Sequence, residues 1–330
     1  MSLTRRAGSR LIEAFFEGVS GLGRMHPRAR RAMRDVEVIK NVRYGHGPEG
    51  LLDVYRPKGL APNALSPAVL YVHGGGFRML SKETHWVMGL QFAKRGYTVF
   101  SIDYRLAPQH RFPAAMVDAA EAYAWVVANA KRYGGDARKL ILAGESAGAN
   151  IVTSLAVCST FEREEAFARK VFETGVVPFA VLPACGILQV TDTARFRRED
   201  PSMLAIVAER IEEVGEGYLD PTSTHATELA DPLLVYESSA PSVRDIPPFF
   251  IPCGTYDPLL VDTVRLAKAL RARGVDAEDA HYKGVHAFHA FVFRPEARRC
   301  WNDTHAFLAQ RLKAQLDQDR ASLREERGTT

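Results

Sequence analysis

The stretch Leu140–Asn150, LILAGESAGAN, decides how this chain is read. An apolar run, Leu140–Ala143, breaks into Gly144-Glu145-Ser146-Ala147-Gly148, and a helix-like segment follows. This is a G-x-S-x-G pentapeptide in a strand–turn–helix setting. A turn this tight forces the serine at its apex into a strained backbone. A β-carbon at position 144 or 148 would collide with the neighbouring strand or helix, so both places call for glycine. The Ser146 hydroxyl is expected above the sheet, at a helix N-terminus whose free N–H groups favour negative charge. The pentapeptide alone occurs by chance in many proteins. A second motif, His73-Gly74-Gly75-Gly76-Phe77, directly after the apolar run Ala68–Val72, makes it specific.

The two motifs answer different needs of one reaction. Acyl transfer from an ester needs a nucleophile, and donors for the oxyanion that forms on the carbonyl. Successive glycines let a loop approach the substrate closely and aim its N–H groups at that oxygen, and Ala147, after the nucleophile, adds another. The remaining partners should follow as an acid and then a histidine. Phe249–Cys253 reads as a strand, and Asp257 stands just beyond its C-terminal end, the edge where open α/β sheets carry their sites. Asp262 is the rival, but it falls within the helix-like stretch Leu259–Arg273, where it is expected to serve that helix or a surface contact. Asp276–Tyr282 reads as a further strand, and His286 lies in the loop after it, 29 residues beyond Asp257. That interval suits one helix plus one strand. His281 falls within the strand, and His289 is expected in the first turn of the final helix; both read as packed or solvated residues.

The succession HGGGF, Asp103-Tyr104-Arg105-Leu106-Ala107-Pro108-Gln109-His110-Arg111-Phe112-Pro113-Ala114-Ala115, GESAG, Asp257-Pro258-Leu259 and Tyr282-Lys283-Gly284-Val285-His286 resembles the hormone-sensitive-lipase-like carboxylesterases, from about position 36 to about 311. The resemblance implies an α/β-hydrolase fold with a helical cap, a triad of Ser146, Asp257 and His286, and oxyanion donors at Gly75, Gly76 and Ala147. It also implies short- to medium-chain acyl esters as substrates. Four positions depart from the usual pattern: Glu145 for Asp or Thr, Gln109 for Glu, Leu80 for a glycine after HGGGF, and Ala287 for the glycine after the histidine. None removes a group the chemistry needs. Amide or lactone hydrolysis by the same residues, and a non-catalytic small-molecule receptor on the same fold, are the alternatives; the presence of His286 weighs against the receptor.

Strand and helix signals alternate, which means a mostly parallel central sheet flanked by helices, an α/β chain. Val36–Ile39 and Leu51–Tyr55 read as an antiparallel pair, followed by strands at Ala68–Val72, Tyr97–Ile102, Leu140–Ala143 and Val177–Leu182 before the two already named. Helices are expected over Thr84–Lys94, Ala114–Arg132, Asn150–Ser159 and Leu259–Arg273. Positions 1–330 are taken as a single domain. Its cap is expected from about 1–35, where Leu3–Arg34 reads as one or two amphipathic helices, and from 189–232, with a helix over Ser202–Tyr218. The charged tail Asp317–Thr330 is expected to fray.

A hydrophobic fraction of 46% and a charged fraction of 25% are those of a globular chain. The net charge of +4 is small and no basic stripe interleaves with aromatics, so nucleic acid is not an expected partner. Cys158, Cys185, Cys253 and Cys300 are widely spaced, which supports neither a disulfide framework nor a metal site, and no cofactor is implied. No apolar run approaches the ~20 residues of a membrane span. Met1–Arg10 lacks the apolar core of a secretory signal, and cytoplasm is the expected compartment. Edge strands and the last helix offer surfaces for a homodimer, with no motif that compels one.

Overall fold

A computed structural model describes residues 18, 20, 21, 23–61, 63–222 and 227–328. Eight strands form one sheet: β1 (Val36–Arg43), β2 (Leu51–Pro57), β3 (Ser66–Val72), β4 (Thr98–Ile102), β5 (Gly135–Glu145), β6 (Ala180–Ala184), β7 (Phe249–Gly254) and β8 (Ala277–Tyr282). Their order across the sheet is β1-β2-β4-β3-β5-β6-β7-β8. β2 is antiparallel to β1 and to β4, and every other pairing is parallel. The α/β architecture expected from the alternating signals is the one observed.

Period-two alternation sends successive side chains to opposite faces. Leu70 and Val72 of β3, Leu140 and Leu142 of β5, and Phe249 and Ile251 of β7 enter one core with the helices Ala114–Asn129, Ala147–Thr160 and Leu260–Ala272. Val69, Tyr71, Ile141, Ala143 and Phe250 enter a second core on the other face, against the helix Trp86–Ala93 and the last helix, Pro295–Gly328. Both faces are covered, so the parallel strands read as continuous apolar runs. The helix Ala147–Thr160 is buried at every position, being wedged between the sheet and its neighbours.

Several boundaries differ from the sequence reading, each for a local reason. β5 begins at Gly135, because the polar Asp136–Lys139 stretch joins the ladder beside β3 across an irregularity between Pro67 and Val69. β6 is Ala180–Ala184, shifted toward its C-terminal end. The short helices Ala166–Glu173, Arg195–Glu199 and Pro232–Glu237 carry too few turns for a periodic signal. His289 lies in a separate 3₁₀ turn, Phe288–Ala290, and not in the last helix, which starts at Pro295. That helix runs on to Gly328 through the segment expected to fray, since 317–327 contains neither Gly nor Pro.

Of the N-terminal segment, 1–17, 19 and 22 lie outside the described residues, and with them most of the expected amphipathic helix over Leu3–Arg34. Its later part is described: Pro27–Met33 is a helix, and Arg24 bonds to the Glu83 carboxylate at 2.6 Å and to the Glu83 carbonyl at 2.7 Å. Among the described residues no helix is long and apolar enough to cross a membrane.

Candidate active site

β5 and the helix Ala147–Thr160 meet at Ser146, whose φ of 56° and ψ of −118° set it in a sparsely populated conformation. Such a backbone costs about 1–3 kcal/mol and persists only where the surroundings impose it. Here they do. An added Cβ at Gly144 would stand 2.7 Å from the Gly148 carbonyl oxygen, and one at Gly148 would fall onto the Val72 carbonyl. The Ser146 N–H is tied to the Ala184 carbonyl at the end of β6, at 3.0 Å. Ser146 itself remains partly exposed.

The glycine loop follows β3, which lies beside β5. An added Cβ at Gly74 would come within 3.2 Å of the Ser146 Cβ, so the two motifs touch. Gly75 and Gly76 have φ of 113° and 61°, and a side chain at Gly75 would strike the Met79 carbonyl. Their N–H groups are oriented through the carbonyls that share their peptide planes. The Gly74 carbonyl, in plane with the Gly75 N–H, lies 2.7 Å from His73 Nδ1. The Gly75 carbonyl, in plane with the Gly76 N–H, accepts from Arg78 and Met79 at 3.0 and 3.2 Å. Tyr104, buried and stacked on the His73 ring at 4.4 Å, donates to the His73 carbonyl. Burial lowers the His73 pKa to about 4, so its ring is neutral and Nδ1–H is free to donate.

Asp257 follows β7 and His286 follows β8. His286 Nδ1 lies 2.9 Å from Asp257 Oδ2, and Asp257 Oδ1 accepts the Leu259 N–H at 2.9 Å. The carboxylate is buried, while the His286 side chain keeps 40% of its surface open. Desolvation would lower the imidazole pKa, but the Asp257 charge and hydrogen bond outweigh it and raise the pKa above its ordinary value. Cys185, next to the Ala184 that holds Ser146, has its sulfur within 4.8 Å of the Asp257 oxygen and the His286 nitrogen. Ser146, Asp257 and His286 therefore stand at the same C-terminal edge of the sheet, after β5, β7 and β8. Cys185, Asp257 and His286 form the group among the described residues that could offer three metal ligands. Burial pushes the Cys185 thiol well up and the histidine nitrogen already faces Asp257, which favours a hydrogen-bonded arrangement.

The competing residues go elsewhere. Asp262 is fully buried, accepts the Leu188 N–H at 2.9 Å and pairs with Arg195 at 2.6 Å. Standing in the first turn of the helix Leu260–Ala272, it ties that helix to the segment after β6, and its burial corrects the alternative expectation of a surface contact. His289 is buried, with its pKa lowered to about 4, and His281 lies in β8, 3.1 Å from Asp279.

The helix Ala205–Tyr218, expected over Ser202–Tyr218, lies against the glycine loop. A Cβ at Gly76 would meet Val214 Cγ2 at 3.0 Å, and Phe77 stacks on Tyr218 with centroids 3.7 Å apart. Asn150 Nδ2 donates to the Ile187 and Ala230 carbonyls at 2.8 and 2.9 Å, tying the chain after β6 to the helix Ala147–Thr160. Sequence reading did not find Tyr71, His85, Tyr104, Cys185, Val214 or Tyr218 as neighbours of the site. Tyr71, Val214 and Tyr218 lie in elements whose pattern reports burial alone, His85 and Cys185 lie in turns outside any motif, and Tyr104 lies in a quoted motif that gives no sign of its contact.

The model of the alpha/beta hydrolase fold family matches residues 69–292. The chain is 32% identical over 235 residues to the esterase LipI of Mycobacterium tuberculosis, covering 70% of this chain and 69% of that protein. It is 33% identical over 249 residues to an ethyl acetate hydrolase of Pseudomonas putida, with coverages of 70% and 69%. A solved esterase of the bacterial hormone-sensitive lipase family superposes with a TM-score of 0.68 at 25% identity, covering 91% of this chain and 90% of that one.

Proposed function

The chain belongs to the α/β-hydrolase family, among the hormone-sensitive-lipase-like carboxylesterases, and on that premise we propose that it hydrolyses short- to medium-chain acyl esters through Ser146, His286 and Asp257. Ser146 Oγ attacks the ester carbonyl as His286 Nε2 takes its proton, and the same nitrogen returns the proton to the leaving alcohol. Asp257 holds Nδ1–H, leaving Nε2 as the basic nitrogen, and stabilises the imidazolium as it forms. Water then repeats the cycle on the acyl-enzyme. The N–H groups of Gly75, Gly76 and Ala147 receive the oxyanion. The chemistry uses side chains and backbone and calls for no cofactor.

One observation carries this reading. The 2.9 Å Asp257–His286 hydrogen bond lies at the sheet edge where the strained Ser146 meets a loop with fixed peptide planes. The helix Ala205–Tyr218 then serves as the cap, with Val214 and the Phe77–Tyr218 stack limiting the space beside the oxyanion donors. A relative that is an ethyl acetate hydrolase agrees with a small acyl group. The described cysteines are all free and buried thiols, which suits the cytoplasmic placement we favour.

An acyl-length profile with p-nitrophenyl esters tests the proposal. The expected optimum is about two to eight carbons, the span that a lidded pocket of ordinary volume houses. Preference for long-chain triglycerides, with activation at an emulsion surface, would overturn it.

A further inference from the structure

Glu145, the residue before Ser146, has its carboxyl buried beneath the turn, with only 2% of the residue exposed. Oε1 accepts the Gly74 N–H at 2.5 Å and also stands 2.8 Å from His85 Nε2, while Oε2 accepts the Tyr71 hydroxyl. Two of these contacts have an obvious donor. The third does not, because His85 Nδ1 faces the Ser81 carbonyl at 3.1 Å and Thr84 Oγ1 at 2.9 Å. A carbonyl only accepts, and the Thr84 hydroxyl is itself directed to that carbonyl, so Nδ1 carries the ring hydrogen. One proton therefore lies between His85 Nε2 and Glu145 Oε1, and the burial of both groups, which disfavours an ion pair, places it on the acid.

We infer that Glu145 is a protonated positioning residue whose hydroxyl Oε1 donates to His85 while accepting from Gly74, and so holds the oxyanion loop against Ser146. The Gly74 peptide groups are then gripped on both sides, the N–H by Glu145 and the carbonyl by His73. The second grip sets the plane of the Gly75 N–H and the first keeps that plane in register with the nucleophile. A Cβ at Gly74 would stand 3.2 Å from the Ser146 Cβ, so the anchored peptide lies directly beside the nucleophile.

The surroundings favour the neutral acid. Burial raises the Glu145 pKa well above the carboxyl range and lowers that of His85 to about 3. The titratable groups facing the carboxyl are Tyr71 from β3, His73 and His85 from the loop side, Cys185 beyond β6, and His289 and Cys300 on the last-helix side. His289 lines the same cavity of about 30 Å³ as Glu145, and its Nδ1 has no hydrogen-bond partner among the described residues. His73 and His289 are likewise held neutral, with pKa values lowered to about 4.

This inference rests on the esterase reading, and Glu145→Gln tests it. A single amide atom cannot both accept from Gly74 and donate to His85, so one of the two bonds is lost. The expected result is a fall in kcat on the order of 10- to 100-fold, below the 10²–10³ for a missing oxyanion donor, with KM little changed. Affinity for an alkylboronic acid, which places an oxygen among the same donors, should weaken in step. Adding His85→Phe removes the competing acceptor, and Glu145→Gln/His85→Phe should recover most of the loss. Unchanged kcat, intact boronic-acid affinity despite lower kcat, or a double variant no better than the single one would overturn it. If Glu145→Gln does not fold, Tyr71→Phe, which removes the Oε2 donor alone, should give the same kcat-against-KM split at several-fold, and an unchanged kcat would overturn the inference. Ser146→Ala separates the two readings. Activity retained there defeats the esterase mechanism, whereas an inactive Ser146→Ala beside a fully active Glu145→Gln defeats the positioning role alone.

Discussion

At the scale of single residues, two aspartates five positions apart do different work because of where their side chains end. Asp257 offers one oxygen to His286 and the other to a backbone N–H, which fixes its orientation. Asp262 is closed inside a pair with Arg195. Asp257→Asn should cut kcat by about 10⁴, by presenting the wrong imidazole tautomer, with little change in stability. Asp262→Asn should do the reverse, since breaking a buried pair costs about 3–5 kcal/mol while the folded fraction keeps its turnover. Urea unfolding and a short-chain ester assay on both variants check this, and a reversed ranking would move the acid to Asp262. The Asp257 contact also sets a pH dependence. His286 must be neutral to act as base, and its pKa is raised, so activity is lost as pH falls through that raised value. The acid limb of kcat/KM should therefore lie above the ordinary imidazole pKa of about 6.5, and the residual activity of Asp257→Asn should show it displaced to lower pH.

At the scale of elements, two of the four departures from the family pattern fall where the backbone is unusual. Leu80 and Ala287, both standing where glycine is common, have φ of 73° and 54°. Ala287 takes the left-handed conformation directly after His286, and its methyl group makes that conformation costly. Ala287→Gly should relieve the strain and gain about 0.5–1 kcal/mol after the entropy cost of glycine, read as a higher urea midpoint at unchanged slope. A lower midpoint would mean that the Ala287 methyl contributes packing beside Cys185 and Cys253 that outweighs the strain. Glu145 is the third departure, and it reaches Gly74 and His85. Gln109 is exposed, and no contact among the described residues gives it a role.

At the scale of the whole molecule, the sheet brings segments more than a hundred positions apart to one edge. β3, β5, β6, β7 and β8 end there in order, and their following loops carry Gly75 and Gly76, Ser146, Cys185, Asp257 and His286. Much of this was legible beforehand, because parallel strands buried on both faces leave apolar runs, and the residues after each run are the ones that converge. The placement of Ser146, Asp257 and His286 at that edge was legible for that reason. What the sequence hid depends on contacts between elements. The Arg195–Asp262 pair, the Phe77–Tyr218 stack and the Glu145–His85 contact have no periodic trace, and helices of five or six residues leave almost none. Ser146 as the nucleophile is the central claim, and covalent labelling tests it most directly. An alkyl fluorophosphonate should add once per chain, at Ser146 in the peptide spanning GESAG, with ester hydrolysis lost in proportion to label and none incorporated by Ser146→Ala. Label on another residue, or full labelling of Ser146 with activity intact, would contradict the account.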